Sequence, residues 1–252
     1  MIEESSGVQE FITHLVELRT RLIRAVGSVF VVFLCLLPIA NRLYTWLALP
    51  LLKKMPMGGH MIATEVTTPF FVPMKVAGLV AFLIALPYVL SQVWGFIAPG
   101  LYSHEKKLAL PLIFSSTFLF YCGMLFAYFG VFPFVFGFIA NTAPQGVEIM
   151  TDIDKYLSFV INMFIAFGLA FETPVAVILL VKFGILSVVQ LRGARRYVIV
   201  GAFIVGAVFT PPDAISQTLL ALPLWLLYEI GIIAASRMSP LVKEPSPDPL
   251  DS

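Results

Sequence analysis

Glu17, Glu105, Glu172 and Glu229 are the side chains of this sequence best placed for specific chemistry. Glu105 lies in WGFIAPGLYSHEKK, where an apolar run stops at Pro99-Gly100 and resumes after Lys106 and Lys107. A carboxylate pairs bidentately with a guanidinium group, so Glu105 is a candidate contact for a cationic ligand. Glu17 is a second, on an amphipathic segment; its plainer role is to pair with Arg21, four residues on. The plainer role of Glu105 is that of a solvated loop charge. Glu172 sits inside an apolar run, where a carboxylate is costly and marks a pathway or an interior contact. The alternative is a hydrogen bond to backbone freed by Pro174. Glu229 is nearer the end of its run, where a long side chain can snorkel to the interface. Thr210, Asp213, Ser216 and Gln217 add a polar patch around the turn TPPD. Gln217 can bond to a polar group on a neighbouring helix, worth about 1 kcal/mol, while Asp213 can simply cap the last helix.

Other chemistries lack their residues. No GxxxxGK[ST] or GxGxxG phosphate cradle is present, nor GxSG or HExxH. Cys35 and Cys122 both fall in apolar runs, without CxxC spacing or a Cys/His cluster, so neither metal nor cofactor nor redox motif is expected. A net charge of +1 with no basic, aromatic-interleaved cluster gives no case for nucleic acid. This chemistry is not that of an enzyme; binding energy or the membrane potential must supply any work.

Positioning those residues falls to lipid-compatible helices. Hydrophobic residues make up 59% of the 252, charged ones 12%, and mean hydropathy is +0.94, which describes an integral membrane protein. MIEESSGVQEF resembles neither a signal nor a transit peptide, so the first apolar run is expected to stay as an anchor. In residues 1–24, Phe11, Leu15, Leu18 and Leu22 recur at helical spacing, predicting an amphipathic, interfacial helix. Six spans follow, at about 25–40, 76–98, 108–132, 156–181, 197–209 and 214–235. The fifth and sixth are short; 13 helical residues reach only about 20 Å. Residues 41–75 are expected to form a cap with a short interfacial helix, Pro69 and Pro73 excluding a continuous helix there. Residues 133–155 form a second connection, and 236–252 are expected to be a disordered tail. Six spans put both termini on one side, which then holds eleven of the basic residues against five opposite. That bias places both termini in the cytoplasm. The domain reading is therefore 1–24 segment, 25–235 membrane domain, 236–252 tail.

Seven strings carry a resemblance, in order: FITHLVELRTRL, MIATEVTTPFFVPMK, VWGFIAPGLYSHEKK, FYCGMLFAYF, TDIDKYLSF, FGLAFETPV and LRGARRYVIVGAFIVGAVFTPPDAISQTLLALP. They are similar to TatC, the large subunit family of the twin-arginine protein translocase, from about residue 11 to 237. The resemblance implies an all-α, cup-shaped bundle of six membrane helices in the bacterial inner membrane. It implies a receptor for signal peptides with two consecutive arginines, exporting folded proteins by the proton-motive force. Implied partners are TatA, TatB, membrane lipid and further copies of the chain. Signal-peptide binding would fall to Glu17 and Glu105, with Leu15, Arg19, Pro50 and Phe96 at matching motif positions. Glu172 would be the intramembrane functional residue, and Gln217 with Thr210, Asp213 and Ser216 would dock partner helices. The chain departs from the pattern at Thr20 and in the lysines of SHEKK. An alternative from another class is a small-molecule or ion transporter using Glu172, but the two halves show no inverted repeat.

Overall fold

A computed structural model describes residues 2–52, 61–97, 109–135, 137, 151–209 and 214–238. The expected tail beyond Met238, residues 53–60 of the expected cap, residues 98–108 around Glu105 and most of the expected 133–155 connection lie outside this set. The described chain is nearly all helix. Helix α1 is Ile2–Leu36, followed by a 3-10 turn Leu37–Ile39, α2 Ala40–Leu52 and α3 Thr68–Ile97. Next come α4 Ala109–Phe126, running into a π turn Ala127–Val131, then α5 Ile153–Phe171 and α6 Thr173–Lys182. Helices α7 Val188–Phe209 and α8 Ala214–Met238 complete the set. Five helical runs are long and apolar enough to cross a bilayer: Ile12–Leu49, Thr68–Phe96, Leu110–Val135, Ile153–Lys182 and Leu220–Arg237. The sixth crossing is α7, whose first turns carry Arg192, Arg195 and Arg196 and leave only 197–209 apolar. The chain is a multi-pass membrane protein.

Two compact units form, Met1–Ile165 and Ala166–Ser252. In the first, α1 and α3 run antiparallel, and α3 also packs on α2 and α4. No break separates the amphipathic segment from the first span: one helix runs through residues 24 and 25. The sequence there holds no proline, and Thr20 and Ser28 bond back to the carbonyls of Val16 and Ala25 instead of opening the helix.

The prolines at 69 and 73 do not exclude helix, contrary to the expectation from sequence; α3 begins at Thr68 and contains both. The carbonyl of Thr67 accepts the amides of Phe70 and Phe71, so Pro69 falls in the first turn, where an N–H has no intrahelical partner anyway. Pro73 removes a single bond, to the carbonyl of the exposed Pro69.

Pro87 lies deeper in α3 and leaves the carbonyl of Leu83 without its helical donor. The hydroxyl of Tyr121 on α4 donates to that carbonyl at 2.7 Å. An unmet backbone group costs several kcal/mol in hydrocarbon, at order of magnitude, so the proline is tolerated because a neighbour supplies the missing proton.

At the far end of the unit from the α1 N-terminus, β1 Met61–Ile62 pairs in parallel with β2 Thr151–Asp152. Buried Val72, Val76 and Leu157 join α3 to α5, with Leu43, Tyr44 and Leu47 of α2 packed against them. Lys75 also forms an ion pair with Asp154. Asp152 ties this cap together: Oδ2 accepts from the hydroxyl and amide of Thr64, and Oδ1 from the amides of Asp154 and Lys155. The Thr64 hydroxyl, then the backbone amides, hold its carboxyl down at about 2 from an ordinary 3.8. A depressed pKa stabilises the fold above the ordinary value, and that stabilisation is lost as pH falls toward 2. Asp152→Ala is therefore expected to speed hydrogen exchange at the Thr64 and Lys155 amides at neutral pH. Acidifying the wild type from pH 4 to 2 should reproduce the effect after correction for intrinsic rates; protection unchanged in both would remove Asp152 as the clasp.

Candidate functional site

Three consecutive residues at the end of α3 face three different partners. Trp94 is buried, and its indole N–H donates to the fully buried hydroxyl of Ser116 on α4 at 2.9 Å. Gly95 lies beneath Arg21 of α1: a Cβ there would sit 3.0 Å from the guanidinium carbon and nearer still to Nη1. Phe96 stacks on His14 of α1, ring centroids 4.3 Å apart and planes inclined by 18°. Tryptophan is a hydrophobic body with a polar edge, so it settles where a hydroxyl can meet that edge. Glycine is the residue that lets a side chain lie on a helix backbone. Together these contacts fix the end of α3 at Ile97, after which the sequence runs on to Glu105.

Glu17 belongs to the same cluster. Its Oε1 accepts from Nε of Arg21 at 2.8 Å and from Nη2 at 2.7 Å. Among the described residues, Oε2 accepts no hydrogen bond. Arg21 and Glu17 are 28% and 35% exposed, so the pair is half-shielded rather than free in solvent, where ion pairs contribute little. Seated over Gly95, Arg21 holds Glu17 at the end of α3. The site thus displays a carboxylate that already binds a guanidinium, with lone pairs to spare.

Leu15 and Arg19 lie exposed on the same stretch of α1. Pro50 is not brought to this cluster. It lies on α2, which packs on the Val72–Val76 end of α3, some 24 residues and roughly 36 Å of helix from Phe96. Glu105, Thr210 and Asp213 lie outside the described residues, and Ser216 falls in the first turn of α8.

In the second unit, Gln217 donates from Nε2 to the carbonyl of Phe203 on α7 at 2.9 Å, the cross-helix bond its chemistry suggests. It also lies close over Gly206, where a Cβ would meet its Cγ and carbonyl oxygen at 3.1 Å. Glu172 marks the break between α5 and α6. Pro174 denies Ala170 its helical donor, and Glu172 becomes the residue before α6, with no capping bond from its side chain. Both of its carboxylate oxygens are shut away from solvent.

Glu229 has a partner on the neighbouring helix. Arg195 binds it as a fork, Nε to Oε1 at 2.6 Å and Nη2 to Oε2 at 2.8 Å, and Tyr228 donates to the carbonyl of Leu191 beside it. Sequence reasoning missed this pair because its members are 34 residues apart and no local spacing links them. It also missed His14, Gly95 and Trp94; a glycine between two aromatics at a helix end was the available signal. Among the described residues, no cluster of histidine, cysteine, aspartate or glutamate could hold a metal ion.

A family model described as Sec-independent protein translocase protein (TatC) matches residues 13–223. The TatC protein of Escherichia coli strain K12 is 55% identical over 224 residues, covering 89% of this chain and 87% of that one. That of Aquifex aeolicus strain VF5 is 40% identical over 222 residues, 87% of this chain and 91% of its own. Among solved structures, the crystal structure of Twin Arginine Translocase Receptor TatC superposes with a TM-score of 0.78. It shares 39% identity and covers 89% of this chain and 98% of that one. The chain belongs to the TatC family and is a multi-pass membrane component of a Sec-independent protein translocase.

Proposed function

We propose that this protein is the receptor for signal peptides bearing two consecutive arginines, and the core around which the translocase exports folded proteins. The observation that carries this reading is the Glu17–Arg21 pair seated on Gly95 and flanked by the stacked His14 and Phe96. An arginine keeps its charge at any working pH and offers a planar fork of donors, so a half-shielded carboxylate is its natural partner. An incoming guanidinium can take Oε2 of Glu17 or displace Arg21. Glu105, nine residues beyond Phe96, can reach the second arginine. Exposed Leu15 suits the apolar residues that follow, and Arg19 repels a misplaced basic residue. Pro50, at the other end of α3, can meet only the far part of a long peptide.

In this reading both termini are cytoplasmic, the membrane is the bacterial inner membrane, and the proton-motive force drives transport without a nucleotide. TatA and TatB dock their single helices along α7 and α8, where Gln217, Thr210, Asp213 and Ser216 form a polar contact. Several copies of the chain assemble in one complex. Glu172, buried at a helix break, hydrates or thins the membrane during transport.

Photo-crosslinking in membranes tests the receptor. Arg-Arg and Lys-Lys signal peptides are compared on wild type, Glu17→Gln and Glu105→Gln. A charge-assisted hydrogen bond contributes about 1.5–3 kcal/mol, so each variant should lose roughly ten- to a hundredfold in Arg-Arg capture. Wild type should favour Arg-Arg over Lys-Lys, and the variants should lose that preference. Equal capture of both peptides by wild type would sink the assignment.

A further inference from the structure

Arg21 binds Glu17 in the lesser of two geometries open to a guanidinium. Its Nε and Nη2 both donate to a single oxygen, Oε1, at 2.8 and 2.7 Å. The stronger arrangement uses two parallel bonds, one to each carboxylate oxygen. Arg21 is kept from that arrangement at both ends of its side chain. Its Cα stands four residues from Glu17 on the same helix. Its guanidinium is pressed against the α3 backbone at Gly95, where a Cβ would stand 2.2 Å from Nη1. Both members of the pair are partly open to solvent, so parting them costs little. The carboxylate is thus occupied by a cation that holds it incompletely and lets go of it readily.

We propose that Arg21 is an internal competitor for Glu17, and that exchange against it selects arginine over lysine in the incoming peptide. The inference rests on the receptor reading of this site. An arginine arriving on a peptide is free of the helix, so it can span both oxygens of Glu17 and replace a weaker copy of itself. One guanidinium leaves for water while another makes the full fork, and the exchange is favourable. A lysine ammonium is a compact, strongly hydrated point charge without a fork. It must give up water for a place that a guanidinium already holds, so the exchange runs against it. Nor does Oε2 offer lysine much, because the carboxylate it belongs to is already neutralised by Arg21. A bare, half-shielded carboxylate would accept either cation with far less preference. The selectivity therefore resides in the pair and not in Glu17 alone.

The test is photo-crosslinking of Arg-Arg and Lys-Lys signal peptides to the full chain in membranes, now with Arg21 varied. Arg21→Gln is expected to raise Lys-Lys capture roughly tenfold and Arg-Arg capture by less, so the preference collapses through a gain. In Glu17→Gln it collapses through a loss. Arg21→Lys, a weaker competitor, should fall between wild type and Arg21→Gln. Adding Arg21→Gln to Glu17→Gln should change nothing further, because the competition needs its carboxylate. A fall in capture of both peptides in Arg21→Gln and Arg21→Lys alike would make Arg21 a structural clamp. An equal rise for both peptides, or the same rise without Glu17, would reduce its part to plain charge repulsion. Either result overturns the proposal, as does an unchanged ratio, and each leaves the receptor reading standing if wild type still prefers Arg-Arg. Equal capture of both peptides by wild type removes the receptor reading, and this inference with it.

Discussion

Trp94→Ala is expected to destabilise the first unit by about 3 kcal/mol. Lipid is as apolar as the side chain, so the cost does not come from transfer to water. It comes from the void left between α3 and α4 and from the Ser116 hydroxyl, fully buried and stripped of its indole donor. Trp94→Phe separates the two contributions, restoring most of the volume and none of the hydrogen bond. Reversible unfolding in mixed micelles would measure both. A loss below 1 kcal/mol for the alanine variant would show that the contact is incidental. If the proposed receptor reading holds, the alanine variant should also lose signal-peptide capture, because the end of α3 beside Glu17 would be unanchored.

Gly231→Val is expected to cost the second unit up to about 3 kcal/mol and to expose Glu172. A Cβ at 231 would stand 3.0 Å from the Cα of Pro174 and 3.0 Å from Cβ of Val177. Neither is the far end of a flexible chain. Proline holds the α6 backbone stiff, so α8 must back away, and the buried set Val177, Leu191, Tyr228, Ile232 and Ala235 opens with it. Glu172, two residues before Pro174, then meets water. Modification by a water-soluble carbodiimide should rise severalfold in the valine variant and by less in Gly231→Ala, whose Cβ alone already crowds Pro174 and Val177. Unchanged modification with intact folding would mean that α6 yields instead.

The membrane-spanning runs were legible because lipid leaves the sequence little choice; composition and run length dictate them. Even the break at Glu172–Pro174 and the arginine-limited length of α7 could be read locally. Pro69 and Pro73 misled because a proline's effect depends on where a helix begins, and Thr67 starts this one by a backbone bond that no residue type announces. Glu17 and Arg21 declared themselves by spacing. Arg195 and Glu229 could not, since their partnership exists only once α7 and α8 pack side by side. The same holds for Gly95, whose purpose is visible only with Arg21 lying over it.

The Tyr121 hydroxyl on the Leu83 carbonyl sets more than a local balance. Two greasy helices in lipid can slide along one another at little cost, since each register buries much the same kind of surface. Pro87 opens one carbonyl on α3, and Tyr121 is the key cut for it; a slip of one turn, about 5.4 Å, would leave the lock empty. A residue usually counted as a flaw in a helix thus acts as an address, telling α4 where along α3 to stop.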